Sequence, residues 1–183
     1  MRYENWPEAR AELEYRARQA LEHSEAHEPV DALDRMRIML RVWSYPAFFN
    51  HVSWSVFESH VDEAGKRQTL VREVMWDRTH DLARFSDPLE GVRQGFHSPP
   101  TLHVRDAAVP PREYRQLLRD IAANPIPLVQ FQPIIGLDGE QFGIASEAGF
   151  NSARVEWWAD GPEEWQDFIA AVMRLRAFLQ TCF

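Results

Sequence analysis

The sequence predicts an α+β fold: a mixed, mostly antiparallel twisted sheet with N-terminal, late-middle and C-terminal helices. Segments of strand period follow one another through short turns, which favours antiparallel pairing. Stretches of helical period fall at the beginning, late middle and end, so they do not alternate with the strands as a doubly wound sheet requires. Seven Trp, 4 Tyr and 11 Phe supply large side chains to the core. With 183 residues, no internal repeat and no linker, the chain reads as a single domain, 1–183.

The first helix is expected over 6–25: Asn5 can cap it, Pro7 fits its first turn, and Trp6, Ala9, Leu13, Ala17 and Leu21 recur at helical spacing. Pro29 ends that pattern. Over 35–43 the period becomes two, with Met36, Ile38, Leu40 and Val42 against Arg35, Arg37 and Arg41, which predicts a strand with one basic face. Further strands are expected at 53–59 and 69–77. The latter is apolar on both faces, as an interior strand is. Residues 79–100 carry Pro88, Gly91, Gly95, Pro99 and Pro100 and read as a long loop with room for a short helix. A strand follows at 101–106, then a helix at 111–123 opened by Pro110-Pro111, with Tyr114, Leu117, Leu118 and Ile121 inward. Asp138-Gly139 predicts a tight hairpin joining 133–137 to 140–146. A last strand at 152–158 leads into a closing helix at 162–180, for which Asp160 and Glu163 form the starting device.

Charge narrows the partner classes. The net charge is −8, distributed as −5 over 1–34, +2 over 35–135 and −5 over 136–183. A nucleic-acid partner needs a basic surface, so none is expected. No apolar run reaches the ~18 residues of a membrane span, and the charged N-terminal stretch is not a secretory signal. Cys182 is the sole cysteine, which suits a reducing compartment and makes the cytoplasm the expected location. Phosphate-binding GxxxxGK[ST], dinucleotide GxGxxG, hydrolase GxSxG and multi-cysteine metal patterns are all absent. No cofactor and no metal are therefore expected.

Several clusters remain as candidates. His23 and His27 stand at i and i+4, a metal-ligand spacing, but Ser24 replaces the Glu that a zincin needs, so a solvated helix end is the better reading. Asp77, Arg78, His80 and Asp81 gather at the end of a central strand, where a carboxylate could orient His80 as a base. The plainer reading is a turn in which Asp77 caps backbone amides and pairs with Arg78. Arg72 could join the Arg35, Arg37 and Arg41 face toward an acidic ligand. The competing and preferred reading is internal pairing with the acidic first helix, through Glu8, Glu12, Glu14 and Glu22. One of Trp157 and Trp158 faces away from the core in a regular strand. Trp158 is thus a candidate anchor for a sugar, a base or another protein, unless it packs beneath the closing helix.

The block formed by Leu137-Asp138-Gly139, Phe142, Ser152, Trp158, Pro162 and Trp165 resembles a C-terminal module of uncharacterised bacterial proteins, some of them immunity-like. The resemblance covers about a quarter of the chain and rests on turn, cap and packing residues. It implies a sheet-then-helix module, carries over no catalytic residue, and tilts expectation toward a binding protein.

Two functions compete on this reading. One is a cytoplasmic interaction protein of immunity or inhibitor type, using an acidic and aromatic surface. The other is a small-molecule binding protein or enzyme with a pocket at the strand ends near Trp54, Arg72, Asp77 and His80. A deep apolar pocket with converging polar groups favours the second. An exposed patch rimmed by charge favours the first.

Overall fold

A computed structural model describes residues 6–27, 36–60, 65, 67–86, 98–126, 139–148 and 151–183. In chain order these form α1 (Trp6–Glu22), β1 (Met36–Pro46), β2 (His51–Ser59), β3 (Thr69–Trp76), α2 (Arg78–Ser86), β4 (Leu102–Ala108), α3 (Pro111–Ala122), β5 (Glu140–Ala148), β6 (Asn151–Trp158) and α4 (Gln166–Gln180). The six strands make one sheet in the order β4-β3-β2-β1-β5-β6, and every ladder is antiparallel. The α+β class expected from the period changes is therefore the observed one.

The register of β1 sorts the side chains. Ile38 pairs with Phe57 and Leu40 with Val56, so Met39 is the extra residue of a bulge. From Leu40 onward, Leu40 and Val42 point to one face and Arg41, Trp43 and Tyr45 to the other. Arg37 pairs with Glu58, two residues from Val56, and so shares the face of Leu40. The continuous basic row expected of Arg37 and Arg41 is broken by this bulge, and Arg35 lies outside the described residues.

Each face has its own core. On the first, Leu13, Ala17 and Leu21 of α1 cover Trp43, Tyr45, Val74 and Trp76. On the second, α3 and α4 cover Leu40, Val42, Trp54, Val56, Val71 and Phe142. β3, with Val74 and Trp76 on one face and Val71 on the other, is the doubly covered strand its composition implied. In the closing helix Phe168, Ile169 and Val172, with Trp165 just before it, face the sheet. Trp157 completes that contact, its ring centroid 6.2 Å from that of Phe168 in an edge-on arrangement.

Several boundaries differ from expectation. α1 ends at Glu22 and a short 3-10 turn occupies Ser24–Ala26, so His23 and His27 are not on one helical face. His23 instead meets Glu25 at 3.3 Å and His27 Nε2 lies 2.7 Å from the Ala20 carbonyl. The short helix for which 79–100 had room is α2, which starts one residue earlier because Asp77 Oδ1 accepts the amide of His80 at 3.1 Å and caps it. β5 is flanked by β1 on one edge and β6 on the other, and the tight hairpin was expected between this strand and 133–137. That segment and Asn5 both lie outside the described residues. Asp160 does not cap α4. The helix is approached through the 3-10 turn Glu163–Trp165, and the Gln166 side-chain Nε2 donates back to the carbonyls of Asp160 and Pro162 at 2.7 and 3.2 Å.

Candidate functional site

The sequence candidates resolve into structural roles spread over the sheet. Arg41, Ser55, Arg72 and Asp106 stand side by side across four strands on the face beneath α1. The Arg72 guanidinium is buried and grips Asp106 with two bonds, Nε to Oδ1 at 2.8 Å and Nη2 to Oδ2 at 2.9 Å. Its Nη1 donates to the carbonyls of Ser24 and His27, while Ser53 donates to the Leu21 carbonyl at 2.8 Å. These donors satisfy carbonyls that the end of a helix leaves open. The internal pairing foreseen for Arg72 is present, but through β4 and not through the acids of α1.

The acids of α1 pair elsewhere. Glu22 meets Arg154 at 2.9 Å, Glu14 meets Arg78 at 3.5 Å, and Glu12 bonds Arg16 within the helix. Arg78 therefore turns to α1 and not to Asp77. Asp77 has His103 at 3.9 Å, whereas it holds His80 by the backbone amide and leaves that ring exposed. Asp81 is fully buried and accepts from Trp76 Nε1 at 2.7 Å, from the amide and hydroxyl of Thr101 at 2.8 and 2.7 Å, and from Arg84. A carboxylate with so many donors fastens α2 to β3 and to the start of β4.

Trp54 and Arg72 project from opposite faces of the sheet, since Trp54 pairs with Glu73 and Ser55 with Arg72. The Trp54 indole donates to the buried Glu73 at 2.8 Å, and Arg105 holds the same carboxylate at 2.7 and 3.1 Å. The structure does not bring Trp54, Arg72, Asp77 and His80 into one pocket. Trp158 lies on the face opposite Trp157, half-buried, where its indole fills the space above Gly139.

Among the described residues a groove opens at another place, beside the connection between β1 and β2. The four residues of that connection are Ala47, Phe48, Phe49 and Asn50, and the two phenylalanines are 67% and 70% exposed, which makes them the most exposed large apolar side chains described. The groove has a volume of about 580 Å³, and its walls include Phe142, Ile169, Met173, Glu140, Asp160 and Gln166. Both ends of the connection are tied down. The Ala47 amide donates to the Gly139 carbonyl at 2.9 Å. Asn50 accepts the Thr79 amide at 3.3 Å and points its own amide at the Met75 sulfur. His51, the first residue of β2, reaches back to the Pro46 carbonyl at 3.2 Å.

Burial between Tyr45 and Trp76 pushes the His51 imidazole down from 6.5 to about 3, helped by Arg78 and Arg18. The ring is neutral at physiological pH, so its proton sits on Nε2, the nitrogen that faces the carbonyl. In the groove wall, Glu140 accepts from Ser44 and lies 3.7 Å from Arg176. The Arg176 guanidinium lies 5.3 Å from the Phe142 ring centroid and 5.7 Å from that of Trp54.

Phe48 and Phe49 were not among the sequence candidates. The signal available was two adjacent aromatic residues between Pro46 and Asn50, in a connection too short to turn both inward. Comparison with known proteins adds no neighbour: no family model, no curated protein and no solved structure matches this chain.

Proposed function

We propose that this protein works by binding another protein, as an immunity or inhibitor protein does, with the Phe48–Phe49 tip as its anchor. The exposure of two adjacent phenylalanines on a tied-down connection is the observation that carries this reading. Leaving two such rings in water forgoes roughly 1.5–3 kcal/mol each in burial, and a partner that covers them recovers it. Aromatic anchors held rigid before docking lose little entropy on binding. The neighbouring acids Glu140 and Asp160 add to the two phenylalanines the acidic and aromatic character expected of such a surface. A protein partner suits this surface better than a nucleic acid, whose phosphates the acids repel. The lone thiol of Cys182 fits a cytoplasmic setting.

The groove volume also lies in the range of small-molecule pockets, which supports ligand binding as the second reading. One experiment separates them. The intact protein and its Phe48→Ser/Phe49→Ser variant are used as baits in parallel, and bound proteins and metabolites are quantified by mass spectrometry. The expected result is a protein retained by the first bait and lost from the second. Equal protein recovery from both baits overturns the anchor. A metabolite retained by the first bait alone moves the conclusion to the second reading.

A further inference from the structure

We infer that the segment docking at this groove is basic, presenting an Arg or Lys side chain next to an apolar one. The inference rests on the protein-binding reading and adds the chemistry of the occupant. The charged groups in the groove wall are Glu140 and Asp160, both acidic. The stretch from Asp160 through the start of α4 adds Glu163, Glu164 and Asp167, all exposed, with no basic residue between 155 and 173. These acids outweigh the partial positive charge of a helix start, about half an elementary charge. Arg176 lies 3.7 Å from Glu140 and offsets part of that charge, so Asp160 carries most of the negative charge of the wall.

Arg176, which meets Glu140 and Phe142 of this wall, is an internal example of such a contact. Its guanidinium lies near the rings of Phe142 and Trp54 while facing the Glu140 carboxylate, a cation held by aromatic faces and an acid together. Phe48, Phe49 and Asp160 line the same groove, two exposed aromatic rings and an exposed carboxylate. A cation from outside would meet aromatic faces and a carboxylate there, and an apolar neighbour on its chain would cover the two phenylalanines. Complementary charge of this kind also speeds encounter with a basic partner, since the chain as a whole is −8.

The test is selection from a phage-displayed library of random short peptides, with the intact protein as bait and three variants as counter-baits. Enriched peptides should carry Arg or Lys beside an apolar residue. Their affinity should fall about tenfold or more on Asp160→Asn/Glu140→Gln, the loss expected for charge-assisted contacts, and should weaken as salt rises. Phe48→Ser/Phe49→Ser should abolish binding, and Arg174→Ala, placed outside the groove wall, should leave it unchanged. Peptides that depend on Phe48 and Phe49 but carry no basic residue overturn the charge inference and leave the docking reading standing. Enrichment that does not depend on the two phenylalanines overturns both.

Discussion

The indole of Trp43 occupies the space that a side chain on Gly143 would need: a Cβ there would come within 2.0 Å of Trp43 Cζ2. The two residues are ladder partners on adjacent strands, so the contact is fixed by register. Arg154 closes the arrangement from above, 4.7 Å from the Trp43 ring centroid.

Gly143→Ala should therefore destabilise the protein although alanine has the same strand backbone available. Trp43 is 1% exposed and has nowhere to retreat, so overpacking of about 1–3 kcal/mol is expected. Urea denaturation measures it. A variant within about 0.5 kcal/mol of the parent would mean that the indole can shift at no cost.

Trp165→Ala should cost about 3–5 kcal/mol, the range for emptying a buried aromatic site. Trp165 is 8% exposed and belongs to the core beneath α4. A loss of that size is a large part of a domain's stability. Near-parental stability in the same denaturation experiment would place this ring outside the core.

Arg72→Met should be more damaging than its similar size suggests. It takes the donor from the carbonyls of Ser24 and His27 and the partner from the more exposed Asp106 carboxylate, and an acceptor left unmade costs about 1–3 kcal/mol. Arg72→Met/Asp106→Leu should recover part of the loss, because it removes the orphaned charge. A double variant no better than the single one would put the cost on the helix carbonyls alone.

Acid should weaken the fold through His51. The ring binds its proton at about pH 3 when folded and near 6.5 when unfolded, so between these values only the unfolded chain carries it. The His51 contribution is complete above pH 6.5 and falls by about 1.4 kcal/mol per pH unit on the way down to 3. His51→Gln keeps a donor for the Pro46 carbonyl without the titration. Its stability relative to the parent should thus rise as pH falls through this window. Parallel pH profiles would show that His51 protonates equally in both states.

Phe48→Ser/Phe49→Ser should do none of this. Both rings lie largely in water, so stability should stay within about 0.5 kcal/mol of the parent. A larger loss, by thermal or urea melting, would show that the tip supports the fold.

Most of the architecture was legible because it follows from period and punctuation. Val71, Val74 and Trp76 announced a doubly covered strand, and Phe168, Ile169 and Val172 a helix stripe. What escaped depends on register and distant partners. The bulge at Met39 moves Arg37 and Arg41 to opposite faces, and nothing local in the alternating run announces it. The pairing of β5 with β1, a strand about a hundred positions earlier, likewise has no local signal. The capping of backbone amides by Asp77 was legible as the plainer reading of its turn, but the pairing expected with Arg78 was not, because that guanidinium turns to Glu14 on a distant helix. The groove was the least legible feature, since Phe48, Glu140 and Asp160 meet only after β1 and β5 have paired.

That pairing has a consequence for the order of events during synthesis. β1 through β4 form a run of neighbouring hairpins, and β5 with β6 forms another, so each half can zip up from local contacts. The seam between them joins residues as distant as Ser44 and Glu140, 96 positions apart. Until β5 emerges from the ribosome, the free edge of β1 offers its backbone to any passing strand, and Leu40 and Val42 lack the cover of α4. The nascent chain is thus most exposed to misassociation in the interval between completing α3 and completing α4. A chaperone that shields the edge of β1 would act at that stage, and the rate of elongation through 123–180 sets how long the exposure lasts.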